Sequence, residues 1–157
     1  MSTILVIYSM KVSRKTRYGL RMMVQLAKNY SRGPVAMSAI AEKEGISEKF
    51  LGQIMFALKS ALPITSVRGP RGGYSLAEHP SKITVNSVLN VFESAGLVEC
   101  VTNAGTCRRS SRCNSRAVWV KIDNIVSDSL DAITLADLVS VGTTKRKSVK
   151  NERKIKK

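Results

Sequence analysis

The residues most able to do chemistry in this chain are its three cysteines, Cys100, Cys107 and Cys113, which lie close together in the second half of the sequence. An odd number of closely spaced thiols, in a sequence where we recognise no export signal, favours metal ligands or redox thiols over a disulfide framework. Cations favour the thiolate, the form that ligates metal. Four arginines surround the cysteines: Arg108, Arg109, Arg112 and Arg116.

Three interpretations of these thiols stay open at this point. They can ligate an iron–sulfur cluster, which usually takes four cysteine ligands where this chain offers three. They can hold zinc together with one other residue, or they can be free thiols. The spacing favours a metal centre, with an iron–sulfur cluster ahead of zinc. A thiol redox enzyme is a further alternative, but the sequence has no Cys-x-x-Cys motif and no histidine near the cysteines, which argues against it. We predict that the protein is not an enzyme.

A second candidate site is a helix-turn-helix near the N-terminus. A short helix over Met37–Glu44 is predicted to end at Gly45, and the next helix begins after the N-cap Ser47. Its apolar stripe has helical spacing: Leu51, Ile54, Met55 and Leu58. The N-terminal part of such a helix enters the major groove. The candidate DNA contacts are Ser47, Lys49, Phe50 and Gln53. The alternative is a surface helix of a bundle that contacts no DNA.

The segment after this helix is predicted to be a β-hairpin, because the short runs Ile64–Val67 and Tyr74–Leu76 flank a turn-rich link. The link contains three glycines, one proline and two arginines, Arg68 and Arg71. Such a basic tip suits phosphates or a narrow minor groove, although an ordinary hairpin turn can contain the same glycines. A helix-turn-helix followed by a basic hairpin, the wing, is a winged helix.

The remaining periodicities predict the elements that position these two sites. A first helix is predicted from the N-cap Ser13 to Tyr30, and a shorter helix follows the N-cap Thr84 through about Phe92. Residues 99–112 have no periodicity and are predicted to be a loop. The predicted fold class is therefore mainly α with a small β-hairpin wing.

A long amphipathic helix is predicted from about Asn114 to Leu130. Its apolar stripe exceeds what a small winged helix needs for its own packing. We interpret it as a dimerisation helix, because twofold DNA-binding proteins pair two half-sites; packing onto the first helix is the alternative. Thr134 and Asp137 are spaced to cap a last short helix.

The net charge of +15 favours a polyanionic partner such as nucleic acid. Residues 143–157 carry +7, from eight Lys/Arg and one acid, and the rest carries +8, from 18 basic and 10 acidic residues. No apolar stretch reaches the roughly 18 residues of a membrane span, so we predict a cytoplasmic protein with no membrane partner. The predicted organisation is an N-terminal extension (1–9), a winged helix-turn-helix (10–84), a cysteine loop and dimerisation helix (85–142) and a basic disordered tail (143–157).

Several segments resemble the Rrf2 family of bacterial transcription regulators. They are Met10–Arg21, Ile40–Ala41, Gly45–Ser47, Ser66–Leu76 and Ile133–Leu138. The resemblance extends from Met10 to about Val139, and the hairpin and the Thr-Leu-Ala-Asp-Leu segment are its most specific parts. It implies a homodimeric winged helix that binds a double-stranded DNA operator.

The resemblance also implies that Cys100, Cys107 and Cys113 hold an iron–sulfur cluster, with [2Fe–2S] ahead of [4Fe–4S]. The protein would then regulate, as a repressor by our prediction, genes of iron–sulfur assembly, cysteine supply or nitrosative stress. The alternatives are a cluster-free repressor of the cysteine-metabolism type and a zinc-stabilised RNA-binding protein.

The sequence departs from the family pattern at positions that concern the sensor and the DNA contacts. Arg116 stands where some cluster-binding members have a histidine, and Arg17 where others have an acidic residue, so the fourth ligand is unidentified. Gly52 replaces a common glutamate in the DNA-reading helix, at a cost of roughly 1 kcal/mol of helix propensity relative to alanine. Residues 1–9 precede the usual family start, which leaves Met1 and Met10 as alternative initiators.

Overall fold

The computed structural model describes residues 12–93 and 98–141. The predicted N-terminal extension, both alternative initiators and the basic tail lie outside these residues. The helices are α1 (Arg14–Lys28), α2 (Met37–Glu44), α3 (Glu48–Ala61), α4 (Val85–Leu89), α5 (Glu99–Thr102), α6 (Asn114–Asp131) and α7 (residues 135–141). The strands are β1 (Ile64–Val67) and β2 (Gly73–Leu76). The fold class predicted from the sequence is confirmed.

Local signals in the sequence set the ends of the first three helices. The Ser13 hydroxyl accepts a hydrogen bond from the backbone N–H of Thr16 at 3.1 Å, which caps α1. Ser47 caps α3 in the same way, accepting from the N–H of Phe50 at 3.4 Å. Gly45 ends α2 with a φ of 64°, a left-handed conformation that glycine adopts without strain. The helix-turn-helix is therefore specified largely by its caps.

The wing is attached to the helix-turn-helix at its base. β1 and β2 pair antiparallel, with Ile64 opposite Leu76. Val35, in the link between α1 and α2, exchanges two backbone hydrogen bonds with Tyr74, of 2.8 and 2.9 Å. Gly73 allows this close approach, because a Cβ there would collide with the carbonyl group of Val35. The hairpin is thus fixed relative to the helices beside it.

One hydrophobic core joins the helices, the wing and the segment after it. Its most buried members from α1 and α3 are Met22, Met23, Leu26, Leu51, Ile54, Met55 and Leu58. Val88 of α4 and Leu135 of α7 are fully buried in the same core. Two backbone hydrogen bonds hold the start of α7 beside the start of α4. The Leu135 N–H donates to the carbonyl of Ile83 at 2.9 Å, and the Val85 N–H donates to the carbonyl of Ile133 at 2.8 Å.

The structure differs from the sequence-based expectations after α4. That helix ends at Leu89 rather than Phe92, and a turn over residues 90–92 follows. The turn brings the Phe92 ring so close to α1 that a Cβ on Gly19 would collide with it. Residues 99–112, predicted as a loop, contain α5 and two 3₁₀ turns. These elements are too short to produce a periodic apolar pattern.

Candidate nucleic-acid interface and cysteine segment

One face of α3 is not packed against any other described part of the chain. Ser47, Lys49 and Gln53, three of the four α3 residues predicted to contact DNA, are exposed. Phe50, the fourth, is half-buried and turns toward α1, where its ring lies edge-on to Tyr18 with centroids 6.0 Å apart. The apolar stripe on the opposite side of α3 anchors the helix in the core, so its outer face has a fixed direction.

A cleft of about 720 Å³ lies where the N-termini of α1 and α3 meet. Its lining is Ser13, Arg14, Lys15, Tyr18, Gly45, Ile46, Ser47 and Phe50. Helix N-termini carry partial positive charge, and two basic side chains from α1 add to it here. The approach to the N-terminal end of α3 is therefore electropositive. Phosphate groups are favoured in such surroundings.

The wing presents its two predicted DNA contacts at its tip. Arg68 and Arg71 are both exposed, and neither guanidinium pairs with a carboxylate within the described part of the chain. Behind the tip, the Lys59 ammonium of α3 donates a 2.7 Å hydrogen bond to the Ser66 hydroxyl of β1. This bond links the C-terminal half of α3 to the wing, so that the two predicted DNA-contacting elements form one basic surface.

The three cysteines lie on different parts of one irregular segment. Cys100 is in α5, Cys107 lies between the two 3₁₀ turns, and Cys113 precedes α6; each is half-buried with a free thiol. Across residues 12–93 and 98–141, no three His, Cys, Asp or Glu side chains form a group that could hold a metal ion. As arranged, the described thiols therefore do not fit a metal centre, and ligation would require them to come together.

Arg116 has a structural role at the position where the family resemblance suggested a ligand. Its Nε donates to the carbonyl of Cys100 at 2.9 Å, and its Nη2 lies 3.5 Å from the carbonyl of Val101. Carbonyl groups in the last turn of a helix lack intrahelical partners, so this guanidinium ties α5 to α6. The protein's single histidine, His79, instead packs edge-on against Tyr30, with ring centroids 5.3 Å apart.

Two residues that the sequence did not single out stand out in the structure. Phe56 is 77% exposed on the outer face of α3; its place seven residues after Lys49 was a signal that helical periodicity offered. Glu93 accepts hydrogen bonds from the Ser13 backbone N–H, at 2.9 Å, and from the Thr16 hydroxyl. The Thr16 hydroxyl, and then the Ser13 N–H, hold the pKa of Glu93 below its usual range. No local sequence pattern predicts this contact, because Glu93 is far in sequence from Ser13 and Thr16.

The long helix α6 has 18 residues, and none of them is buried. Val118, Ile122 and Ile125 form an apolar stripe on it and are 56%, 37% and 55% exposed. Its ties to the body include polar bonds to α4, such as Asn86 to Ser127 and to Asp131, both at 2.8 Å. The stripe is thus left uncovered by residues 12–93 and 98–141. Among the described residues, no helix has the length and apolar character to cross a membrane.

The Rrf2 family, described as an iron-dependent transcriptional regulator, matches residues 12–141. The HTH-type transcriptional regulator CymR of Bacillus subtilis (strain 168) is 36% identical over 132 residues, which cover 83% of this chain and 91% of CymR. The HTH-type transcriptional regulator IscR of Aliivibrio salmonicida is 36% identical over 131 residues, covering 83% and 77%.

Two solved structures show the same likeness in three dimensions. CymR of B. subtilis, described as the global cysteine regulator, gives a TM-score of 0.70 at 34% identity, covering 85% of this chain and 98% of CymR. IscR of T. potens gives a TM-score of 0.68 at 34% identity, covering 85% and 89%. The family match over residues 12–141 includes the wing, the cysteine segment and the long helix.

Proposed function

We propose that this chain, which belongs to the Rrf2 family of transcription regulators, is a homodimeric repressor that binds a pseudo-palindromic DNA operator in the cytoplasm. Its family makes it a DNA-binding regulator and not an enzyme. One observation carries the proposal: the free face of α3 and the basic tip of the wing are fixed on one core and joined by the Lys59–Ser66 hydrogen bond. Residues 10–84 would form the DNA-binding part, and residues 85–142 the cysteine segment and dimerisation helix.

The DNA contacts follow from side-chain chemistry and position. Gln53 has the amide that pairs with adenine in the major groove, and Ser47 and Lys49 suit bases or phosphates near the start of α3. Arg68 and Arg71 suit phosphates or a narrow minor groove beside the wing. Phe50, half-buried against Tyr18, would contact DNA with its exposed edge while holding the end of α3.

The homodimer is supported by α6. A stripe of exposed Val118, Ile122 and Ile125 on a helix with no buried residue is typical of a surface that a second copy covers. Twofold symmetry then presents two α3 helices to two half-sites, about 34–36 Å apart along the duplex in regulators that bind adjacent turns of one face.

The DNA interface can be tested by selecting binding sites from random duplexes and measuring affinity against salt concentration. Arg68→Ala should weaken binding and lower the slope of log affinity against log salt by about 1.8, because the homodimer loses two phosphate contacts at about 0.9 each. Lys121→Ala removes an exposed charge of α6 and is the matched control, with unchanged slope. Equal affinities and slopes for Arg68→Ala and the parent protein would contradict the wing assignment.

For the cysteines we propose a sensory role, with Cys100, Cys107 and Cys113 ligating an iron–sulfur cluster, [2Fe–2S] ahead of [4Fe–4S]. The description of the family as iron-dependent and the arginines around the thiols support this proposal. A cluster-free thiol regulator is the second candidate. It is favoured by the engagement of Arg116 with the backbone of Cys100 and by the separation of the thiols among the described residues.

Anaerobic purification with iron, sulfide and zinc counts separates the two candidates. Bound iron and sulfide in equal amounts, lost in Cys107→Ser and kept in Ser111→Ala, would support the cluster. A colourless protein without iron after anaerobic reconstitution would contradict it. The thiol candidate then predicts that an oxidant of thiols changes operator affinity in the parent protein and not in Cys107→Ser.

A further inference from the structure

Phe56 differs in exposure from the apolar residues of α3 that form part of the core. The buried stripe of Leu51, Ile54, Met55 and Leu58 is at most 1% exposed, whereas Phe56 is 77% exposed. An isolated exposed apolar residue is common on protein surfaces. The position of this one is what matters, because it lies on the same free face of α3 as Lys49 and Gln53.

Four residues of that face have a spacing used for reading DNA. Lys49, Gly52, Gln53 and Phe56 stand at i, i+3, i+4 and i+7, which places them on one side of a helix, and all four are exposed. Homeodomain recognition helices contact DNA from four positions with this same spacing. Seven residues of helix rise about 10 Å, and about 10 Å of duplex corresponds to roughly three base pairs. A helix that contacts bases at Lys49 can therefore reach them at Phe56.

Gly52 keeps the Phe56 ring accessible. No atom lies within 4 Å of the place where a Cβ at residue 52 would stand, and its backbone is helical. Neither packing nor backbone conformation therefore requires glycine there. Side chains on a helix lean toward the preceding turn, so a longer residue at position 52 would flank the ring of Phe56. Without one, a base pair can approach both the ring and the helix backbone.

The surroundings of Phe56 select the kind of partner. Lys49 and Lys59 belong to the same helix, and the wing adds Arg68 and Arg71. An apolar protein surface would leave these cations without counter-charges, whereas DNA offers phosphates to them and apolar groups between its backbones. In the major groove, the apolar group that distinguishes one base is the C5-methyl of thymine, and phenylalanine is among the side chains that contact it.

We propose that Phe56 is a specificity-determining residue that contacts the C5-methyl group of a thymine in each half-site of the operator. This proposal rests on the proposed function, because it requires α3 to occupy the major groove. It adds a base preference that follows from this chain's own pair of residues, Gly52 and Phe56.

The test uses deoxyuridine, which differs from thymidine only by the missing methyl group. In an operator selected from random duplexes, each thymine of one half-site is replaced in turn, and affinity is measured for the parent protein and Phe56→Ala. At one position the parent protein should lose about fourfold in affinity, the effect of exposing one methyl-sized group. Phe56→Ala should bind both duplexes equally. Its fold is checked by circular dichroism, and an exposed side chain gives no reason for unfolding.

Lys49→Ala is the matched control on the same helix face. It should weaken binding to both duplexes and keep the thymine–deoxyuridine difference. The proposal is overturned if the parent protein shows no difference at any thymine, if Phe56→Ala keeps the full difference, or if Lys49→Ala loses it as well. Failure of the proposed function would be distinct, because no sequence would then be enriched from random duplexes.

Discussion

The DNA-binding part and the cysteine part of this chain differ in how their apolar side chains are covered. Helices α1 and α3 contribute eight of the buried residues in the core, including Met22, Leu26 and Leu58, while the 18-residue α6 contributes none. Isolated amphipathic helices are marginal in water, and tertiary packing supplies most of their stability. Burial in the core therefore stabilises α1 and α3, whereas α6 gains little stability from packing within the described residues.

Several contacts join the two parts within the described residues. Leu135 of α7 enters the core, Phe92 lies against Gly19, and Glu93 binds the N-terminus of α1. Thr134 and Asp137 cap α7 as the sequence predicts, with a 2.9 Å hydrogen bond from the Thr134 N–H to the Asp137 carboxylate. In the proposed sensory role, a change in the cysteine segment would act through these contacts on the helices proposed to contact DNA.

The largest expected effect concerns Leu135. Its substitution tests whether α7 shares the core of the DNA-binding part. Leu135→Ala should lower the free energy of unfolding by about 2–5 kcal/mol, because it leaves a cavity where a fully buried side chain stood. Leu58→Ala, inside α3, should cost a similar amount. Urea unfolding followed by circular dichroism measures both. If Leu135→Ala lowered the free energy of unfolding by less than about 1 kcal/mol while Leu58→Ala had its full effect, α7 would not contribute to the stability of the DNA-binding part.

Much of the fold could be predicted because its signals are local. The caps Ser13 and Ser47 and the stop at Gly45 act within a few residues, and the structure places helix ends at them. The hairpin was predicted for the same reason, since its turn-rich link separates two short apolar runs. The exposed residues of α3 could also be predicted, because helical periodicity indicates which of its side chains face away from the core.

The remainder could not be predicted because it depends on contacts distant in sequence or on elements too short to be periodic. The Phe92 ring against Gly19 and the carboxylate of Glu93 at Ser13 join residues that nothing local connects. The turn that makes these contacts ends α4 early. The hydrogen bond from Arg116 to the Cys100 carbonyl of α5 likewise depends on a residue near the start of α6.

The next effect concerns α6 and tests whether a second copy covers its stripe. Ile122→Asp should weaken the homodimer about 100-fold or more, since a carboxylate would be buried in an apolar interface. Asn124→Asp adds the same charge about 200° round the helix and is the matched control. Sedimentation velocity over a range of protein concentrations measures both. An Ile122→Asp protein that stays dimeric, or a monomeric parent protein, would contradict the dimer assignment.

The smallest effect concerns Glu93, at the junction between the parts. Glu93→Gln keeps an acceptor for Ser13 and Thr16 but removes the charge, and it should lower the free energy of unfolding by about 1 kcal/mol at neutral pH. Exposed Glu78→Gln is the matched control and should have a smaller effect at every pH. Urea unfolding at a series of pH values measures both variants against the parent protein.

The stabilising effect of the Glu93 carboxylate depends on pH. Because the hydrogen bond from Thr16, and then that from Ser13, lower the pKa of Glu93 in the folded protein, its contribution is fully present above the pKa of an unfolded glutamate, about 4.3. It is lost as the pH falls through the lower folded value. The parent protein's advantage over Glu93→Gln should therefore be constant near neutrality and shrink in acid. An advantage that stays the same at all pH values would mean that the charge of Glu93 does not stabilise this junction.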